Sequence, residues 1–109
     1  MGPQEPKPPA RGQLADFAPK LSELTQQVLF GDIWERPGLS KRDRSLITVA
    51  ALVALNRTDQ LGFHLMRALE NRVTKDEVIE EITHLAFYSG WPTAMSAIQL
   101  AKELYQGEK

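Results

Sequence analysis

The sequence contains no cysteine. Disulfide bonds, thiolate nucleophiles, cysteine-ligated zinc and dithiol redox cycles all require that side chain, so the composition excludes them together. Histidine is also scarce, because it occurs only twice, as His64 and His84. Any proton transfer by an imidazole near neutral pH must therefore use one of these two residues.

An excess of either charge is also absent. The chain has 13 Lys and Arg residues and 14 Asp and Glu residues, for a formal net charge of −1. Proteins that bind nucleic acids concentrate basic side chains on one surface. No nucleic-acid partner is therefore expected.

No apolar run is long enough to cross a membrane. The run Leu46–Leu55 is interrupted only by Thr48, but a bilayer-spanning helix needs about 20 residues. The start of the chain does not have the pattern of a signal peptide. We therefore expect a cytoplasmic protein without a membrane partner.

The chain divides into a tail and one domain. Residues 1–12, MGPQEPKPPARG, are rich in Pro, Gly and charge, a composition typical of an extended or disordered segment. Residues 13–109 are expected to form a single domain, since domains cluster at about 100–150 residues. Whether the tail lies along its own domain or along a neighbouring subunit stays open.

Helical periodicity predicts an all-α fold, and no segment alternates in the manner of a strand. The first helix is expected from Asp16 to Phe30, with Asp16 as N-cap and Gly31 as its end. Its apolar side chains recur at helical spacing, at Phe17, Leu21, Leu24 and Val28.

Capping signals predict four further helices. Ser40 begins one that ends near Leu55, and Thr58 caps another that runs to about Asn71. The capping box TKDE, residues 74–77, begins a fourth helix that reaches about Ser89. Pro92 begins the last one, whose small-residue face is Ala94, Ala97, Ile98, Ala101 and Leu104.

The helix over Leu46–Leu55 has almost no polar side. A helix that is apolar all round is normally buried on every side. A domain of this size offers few places for such a helix.

Basic residues gather at the start of that apolar helix. Free N–H groups and the helix dipole favour an anion there, and guanidinium groups bind carboxylates through two hydrogen bonds. The alternative is that these side chains are solvated or paired with Glu35, Asp43 or a second subunit. The set, which also includes one arginine beyond the helix, is Arg36, Lys41, Arg42, Arg44 and Arg57.

His64 lies at the edge of the apolar stripe of its helix, where a cleft wall would be. An imidazole there can give or take a proton. The alternative is a partly buried structural histidine that is hydrogen-bonded to a backbone carbonyl.

The fourth helix carries an ionisable row beside its apolar stripe. The row indicates a ligand-binding or proton-transfer wall, although a solvated outer face fits equally well. Glu81-x-x-His84 has the spacing of di-iron bundles, but those proteins need two such motifs and further glutamates, so no metal site is expected. Trp34, Trp91 and Tyr88 lie near helix breaks, where they can line a pocket or pack at a subunit interface. The row is Glu77, Glu81, His84 and Tyr88.

The segment from Gly31 to Ala97 resembles the carboxymuconolactone decarboxylase family. The matching motifs occur in the family's order, and the first and last helices fit as well. They are Trp34, RPGL at 36–39, Arg42-x-Arg44-Ser45-Leu46, ALVALNR at 51–57, His64, Val73-Thr74, Glu77, His84 and Tyr-x-Gly-x-Pro at 88–92.

The resemblance implies an alkylhydroperoxidase D-like fold of about six helices. It also implies tight homodimers that assemble further as trimers of dimers, which is a homohexamer. In such an assembly neighbouring subunits would help to cover the apolar helix at Leu46–Leu55.

Thiol peroxidase activity, known in the wider family, is excluded for this chain. That branch uses a Cys-x-x-Cys pair followed four residues later by a histidine. Counted back from His64, the cysteine positions hold Arg57 and Gln60, and the position of that branch's glutamate holds Ser45.

The resemblance therefore implies a cofactor-free lyase that removes CO2 from 4-carboxymuconolactone or a related small acid. Arg42 and Arg44 are expected to bind substrate oxygens, and Trp34 and Trp91 to line the pocket. His64 is the first choice of proton donor, with His84 and Tyr88 as supporting or alternative groups. The alternative function is a non-catalytic oligomeric module that binds a small acid or a partner protein.

Two stretches depart from the decarboxylases of the family. Those proteins tend to have Asn-Asn-Gly-Val where this chain has Glu-Asn-Arg-Val at 70–73, and Gly-Val-Pro-Ala-Ala-Asn where it has Gly-Trp-Pro-Thr-Ala-Met at 90–95. We expect Trp91 and Met95 to reshape any pocket at the second stretch.

Overall fold

The computed structural model describes residues 11–106, and all regular structure within this range is helical. This confirms the all-α prediction. The six α-helices of the range are joined by a π-helical segment and a 3-10 turn. In chain order they are α1 Arg11–Phe17, α2 Pro19–Glu23, the π-helix Leu24–Phe30, the 3-10 turn Ile33–Glu35, α3 Lys41–Ala54, α4 Thr58–Glu70, α5 Lys75–Leu85 and α6 Trp91–Tyr105.

The hydrophobic core lies among α3, α4, α5 and α6. Helix α3 packs on α4 and α5, and α6 packs on α4 and α5. The alanines of the predicted small-residue face of α6 are buried, which lets its backbone approach its neighbours closely. The fully buried side chains of the core include Val49, Val53, Leu61, Leu65, Ala68, Val78 and Ile82.

The prediction of one helix from Asp16 to Phe30 is wrong. The first helix begins at Arg11, so Asp16 is not an N-cap, and the path breaks at Ala18, which has φ −136° and ψ 71°. Pro19 explains the break, because the proline ring disfavours helical geometry in the residue before it.

Gly31 ends the π-helix, as predicted. A Cβ atom at this position would lie 2.8 Å from the carbonyl oxygens of both Gln26 and Gln27. The chain therefore needs a residue without a side chain where it leaves this segment.

Two of the four predicted N-caps are confirmed. The hydroxyl of Ser40 accepts a hydrogen bond from the backbone N–H of Asp43 at 3.0 Å, and Thr74 and Glu77 form the complete capping box. Thr58 does not cap, because α4 already begins at this residue and Arg57 occupies the N-cap position without a side-chain hydrogen bond. The backbone carbonyl of Arg57 accepts the first hydrogen bonds of α4, which places the helix start one residue earlier than predicted.

Helix α5 ends at Leu85, four residues before the predicted end at Ser89. The Ser89 hydroxyl donates to the carbonyl of Leu85 at 2.9 Å and closes the turn. Gly90 then adopts a left-handed φ of 108°, which permits the chain to begin α6 with Pro92 in its first turn.

Helix α3 is not buried on every side within one chain. Val49 and Val53 lie in the core, whereas Ile47 and Leu55 are exposed. Cover by neighbouring subunits therefore stays a prediction. Among residues 11–106 no helix is both long and apolar enough to span a bilayer.

Candidate functional site

His64 lies in an aromatic cluster at the junction of α4 and the 3-10 turn. Its ring stacks on buried Trp34, with centroids 6.1 Å apart and planes 15° apart, and contacts Phe63 edge-on at 4.8 Å. Phe30 also stacks on Trp34, with ring centroids 6.3 Å apart. We call Phe30, Trp34, Phe63, His64 and Arg67 the His64 cluster.

The Nδ1 atom of His64 is buried and has no hydrogen-bond partner. A structural histidine normally satisfies such an atom with a backbone carbonyl. Nδ1 therefore retains a hydrogen-bonding capacity that the described side chains do not use.

Arg67 brings positive charge to the cluster. Its guanidinium carbon lies 5.4 Å, 5.9 Å and 5.8 Å from the ring centroids of Phe30, Trp34 and Phe63. Burial, and then the charge of Arg67, lowers the pKa of His64 below its ordinary value of 6.5. The imidazole is therefore neutral at neutral pH in the empty site, and an anion bound beside it would raise its pKa again.

Arg44 reaches the same turn from the start of α3. One of its terminal nitrogens donates to the carbonyl of Arg36 at 3.1 Å, and its Nε is buried without a partner. Arg36 directly follows the turn that carries Trp34. Arg44 and His64 thus border one short segment, and each has a buried polar atom that is not satisfied within the chain.

Arg42 has protein partners. It forms an ion pair with Glu77, and its Nε donates to the carbonyl of Arg72 at 3.3 Å. These contacts tie the start of α3 to the connection between α4 and α5. The geometry therefore favours a positioning role for Arg42 over direct binding of a substrate.

Two other basic residues pair with acidic side chains, which is the predicted alternative to binding an anion. Lys41 pairs with Glu35 at 2.9 Å, and Arg57 pairs with Asp59 at 3.0 Å. Both pairs are exposed, where such contacts contribute little to stability.

The ionisable row of α5 separates into different environments. Glu77 serves the capping box and the ion pair with Arg42, while the exposed rings of His84 and Tyr88 stack on each other at 4.9 Å. Tyr88 is 78% exposed. Among the described side chains, neither of these two rings contacts a ring of the His64 cluster.

Trp91 also lies outside the His64 cluster. It is exposed, its ring contacts Phe87 edge-on at 5.6 Å, and it lines an apolar cavity of about 140 Å³ together with Met95. The structure thus places His64 against Trp34 and joins Arg44 to Arg36, the residue after that turn, whereas Trp91 contacts Phe87 and His84 contacts Tyr88.

Sequence reasoning missed Arg67 and underestimated Glu81. Arg67 follows His64 by three residues on α4, a spacing that places side chains on the same face of a helix. Glu81 was placed in the ionisable row without a role, but its Oε1 is buried without a hydrogen-bond partner, and burial raises its pKa to about 7. A glutamate between the core residues Val78 and Ile82 was the available signal.

Glu81 also affects Tyr105 of α6. The Tyr105 hydroxyl donates to the carbonyl of Leu65 at 2.7 Å, and burial and the Glu81 charge both raise its pKa. Within residues 11–106, no group of three His, Asp or Glu side chains is placed to hold a metal ion.

The model of the carboxymuconolactone decarboxylase family matches residues 19–103. A 4-carboxymuconolactone decarboxylase from Acinetobacter baylyi is 40% identical over 93 residues, which cover 85% of this chain and 69% of that protein.

Two further relatives match over shorter shares of their length. The nitrosuccinic acid decarboxylase npaB of Metarhizium robertsii is 36% identical over 70% of this chain and 53% of its own length. An uncharacterised 15.0 kDa protein of Paracoccus denitrificans is 29% identical over 75% of this chain and 63% of its own length. The family match spans most of the chain and agrees with its helical fold, so this protein belongs to the carboxymuconolactone decarboxylase family.

Proposed function

We propose that this protein is a cofactor-independent carboxy-lyase that removes CO2 from a small carboxylated lactone or a related acid. Two relatives in different organisms are decarboxylases by name. The observation that carries the proposal is that His64 stacks on Trp34 while Arg44 donates to the carbonyl of Arg36, the residue that follows the same turn. Arg44 and His64 each contribute a buried polar atom without a partner, Nε and Nδ1 respectively.

The reaction breaks the bond between a carbon atom and its carboxylate. The electron pair stays on the substrate as an enolate-like anion, CO2 leaves, and a proton then bonds to carbon. A guanidinium at Arg44 stabilises the oxygens on which negative charge develops. His64 as imidazolium supplies the proton and recovers it from solvent, so that one proton is consumed for each CO2 released.

The charge of Arg67 makes proton donation depend on substrate. Burial and then this charge lower the pKa of His64 and keep its imidazole neutral without a bound anion. A substrate carboxylate in the cluster offsets this charge and raises the pKa of the imidazole, so His64 takes up its proton as the substrate binds. We expect kcat to fall as the pH rises above the pKa of His64 in the complex.

The test is incubation of the purified protein with 4-carboxymuconolactone, and separately with nitrosuccinic acid, while substrate loss and CO2 release are followed. His64→Gln is expected to lower kcat about 100-fold or more, the usual contribution of a positioned acid or base. Arg44→Gln is expected to lower kcat as well as to raise KM, because it removes a charged group that binds the substrate oxygens and stabilises the charge that develops on them.

Arg57→Gln is the matched control for the arginine, since Arg57 is exposed and already pairs with Asp59. This variant should leave kcat and KM unchanged. Turnover that survives His64→Gln in full contradicts the proposed proton donor. Absence of turnover, together with binding of a small acid that is weakened by His64→Gln, supports the non-catalytic binding module instead.

A further inference from the structure

The first twenty described residues form an arm, residues 11–30, made of α1, α2 and the π-helix. Its segments pack on one another in chain order and make no substantial packing contact with α3–α6. Its described anchor to the rest of the chain is Phe30, which stacks on Trp34 and lies beside Arg67.

The arm exposes an apolar stripe. Phe17 is 89% exposed and Leu21 is 58% exposed, and Leu24 and Val28 farther along the arm are also exposed. Helices this short are marginal in water unless an apolar face is packed. The arm therefore needs a surface that its own chain does not provide.

An apolar groove runs between α5 and α6. It consists of two neighbouring cavities, of about 430 Å³ and about 140 Å³, which share Ile98 in their lining. Ile79, Met95 and Trp91 lie along it and are about half exposed. We call this the α5–α6 groove.

We propose that the arm of one copy of this chain docks into the α5–α6 groove of a second copy, and that the exchange is reciprocal. One chain carries both an uncovered stripe and an uncovered groove, so a two-fold pairing covers both surfaces on both copies. The inference concerns assembly alone and does not rest on lyase activity.

The dimensions fit this pairing. Helix α6 spans about 22 Å at a helical rise of 1.5 Å per residue, and residues 19–30, which are fewer and partly π-helical, are shorter than α6. To reach the range of about 1,200–2,000 Å² for specific interfaces, each of the two arm–groove contacts must bury about 600–1,000 Å², counted over arm and groove.

Docking also reaches the candidate site. The arm ends at Phe30, which stacks on Trp34 beside His64. An arm that is held in a partner groove therefore fixes the outer wall of the His64 cluster in its own copy.

The first test measures the mass of the full chain at about 10 µM by light scattering. Leu21→Glu places a charge in the contact and is expected to weaken association at least about 100-fold. Leu55→Glu is the comparison variant for the competing interface, because Leu55 is exposed apolar surface just after α3, the helix that neighbouring subunits are predicted to cover. Circular dichroism checks that both variants keep their helices.

A wild-type monomer at this concentration overturns the proposal. So does an assembly that Leu55→Glu dissociates and Leu21→Glu leaves intact, since the interface then lies on α3.

The second test uses the absence of cysteine. A copy with Leu21→Cys is mixed with a copy that has Ile79→Cys or Met95→Cys, and the mixture is oxidised. A disulfide between unlike copies is expected for at least one groove position and not for Leu55→Cys. Cross-linking to Leu55→Cys alone contradicts the arm–groove contact.

Discussion

At the scale of single residues, Arg72 has a strained backbone. Its φ of 76° lies in the left-handed region, where a side chain costs about 1–2 kcal/mol and glycine does not. The usual motif of the family decarboxylases has glycine at this position. This chain thus adopts a left-handed backbone at Arg72 without the residue that suits it best.

We expect Arg72→Gly to raise the free energy of unfolding by about 1 kcal/mol and the Tm by about 4 °C. Urea and thermal unfolding measure the change. Asn56→Gly is the control, because Asn56 has a similar φ of 57° but asparagine tolerates this region, so its gain should be smaller. An Arg72→Gly protein that is less stable than wild type would show that the side chain contributes more than the strain removes.

Glu81 makes stability depend on pH. Burial raises its pKa from the ordinary 4.5 to about 7 in the folded chain. Between these values the folded state keeps a proton that the unfolded state has released, so the free energy of unfolding falls as the pH rises through this window. Above about pH 7 the folded state carries the full destabilising effect of a buried charge.

Glu81→Gln removes this titration. Urea unfolding at pH 8 should find the variant more stable than wild type, and the difference should disappear near pH 4.5. Glu80→Gln, an exposed neighbour on the same helix, should show no such pH-dependent difference. Equal stability of Glu81→Gln and wild type at pH 8 would mean that Glu81 is solvated in the native state.

At the scale of helices, Glu77 at the start of α5 has two structural roles. One of its oxygens accepts from the backbone N–H of Thr74 at 2.9 Å, and the other pairs with Arg42. These contacts, the Thr74 backbone N–H first and then Arg42, lower the pKa of Glu77. The capping box therefore also anchors the start of α3.

Thr74→Ala is expected to lower the free energy of unfolding by about 1 kcal/mol, the usual loss when a capping hydroxyl is removed. Thr58→Ala is a matched control at the start of α4, where the hydroxyl does not cap. It should change stability by less than about 0.5 kcal/mol. Chemical unfolding of both variants decides the point, and equal losses would contradict the assignment of the caps.

At the scale of the whole molecule, the four packed helices form a stable core and the arm lies outside it. If two copies exchange arms, folding and association are linked by mass action. We therefore expect the Tm of the wild-type protein to rise by a few degrees from 1 µM to 100 µM. Leu21→Glu should remove this concentration dependence, and a wild-type Tm that stays constant would speak against linked assembly.

The starts of α3, α5 and α6 were predictable from the sequence because the signals are local. Ser40, Thr74 and Pro92 act within one helical turn, and the apolar spacing of α4–α6 matches their buried faces. The break at Ala18 and the exposed stripe of the arm were not predicted. Apolar residues at helical spacing indicate a buried face, but the arm has the same spacing on a face that its own chain leaves exposed.

The sequence by itself determined the helical fold, the family and the exclusion of thiol chemistry, since these follow from periodicity, ordered motifs and the lack of cysteine. Only the tertiary structure decided which candidate site residues contact one another. Arg42 reaches Glu77 across 35 positions of the chain, and His64 meets Trp34 across 30. Whether Nδ1 of His64 or Oε1 of Glu81 has a partner depends on such distant contacts, because burial is a property of packed helices and not of any single segment.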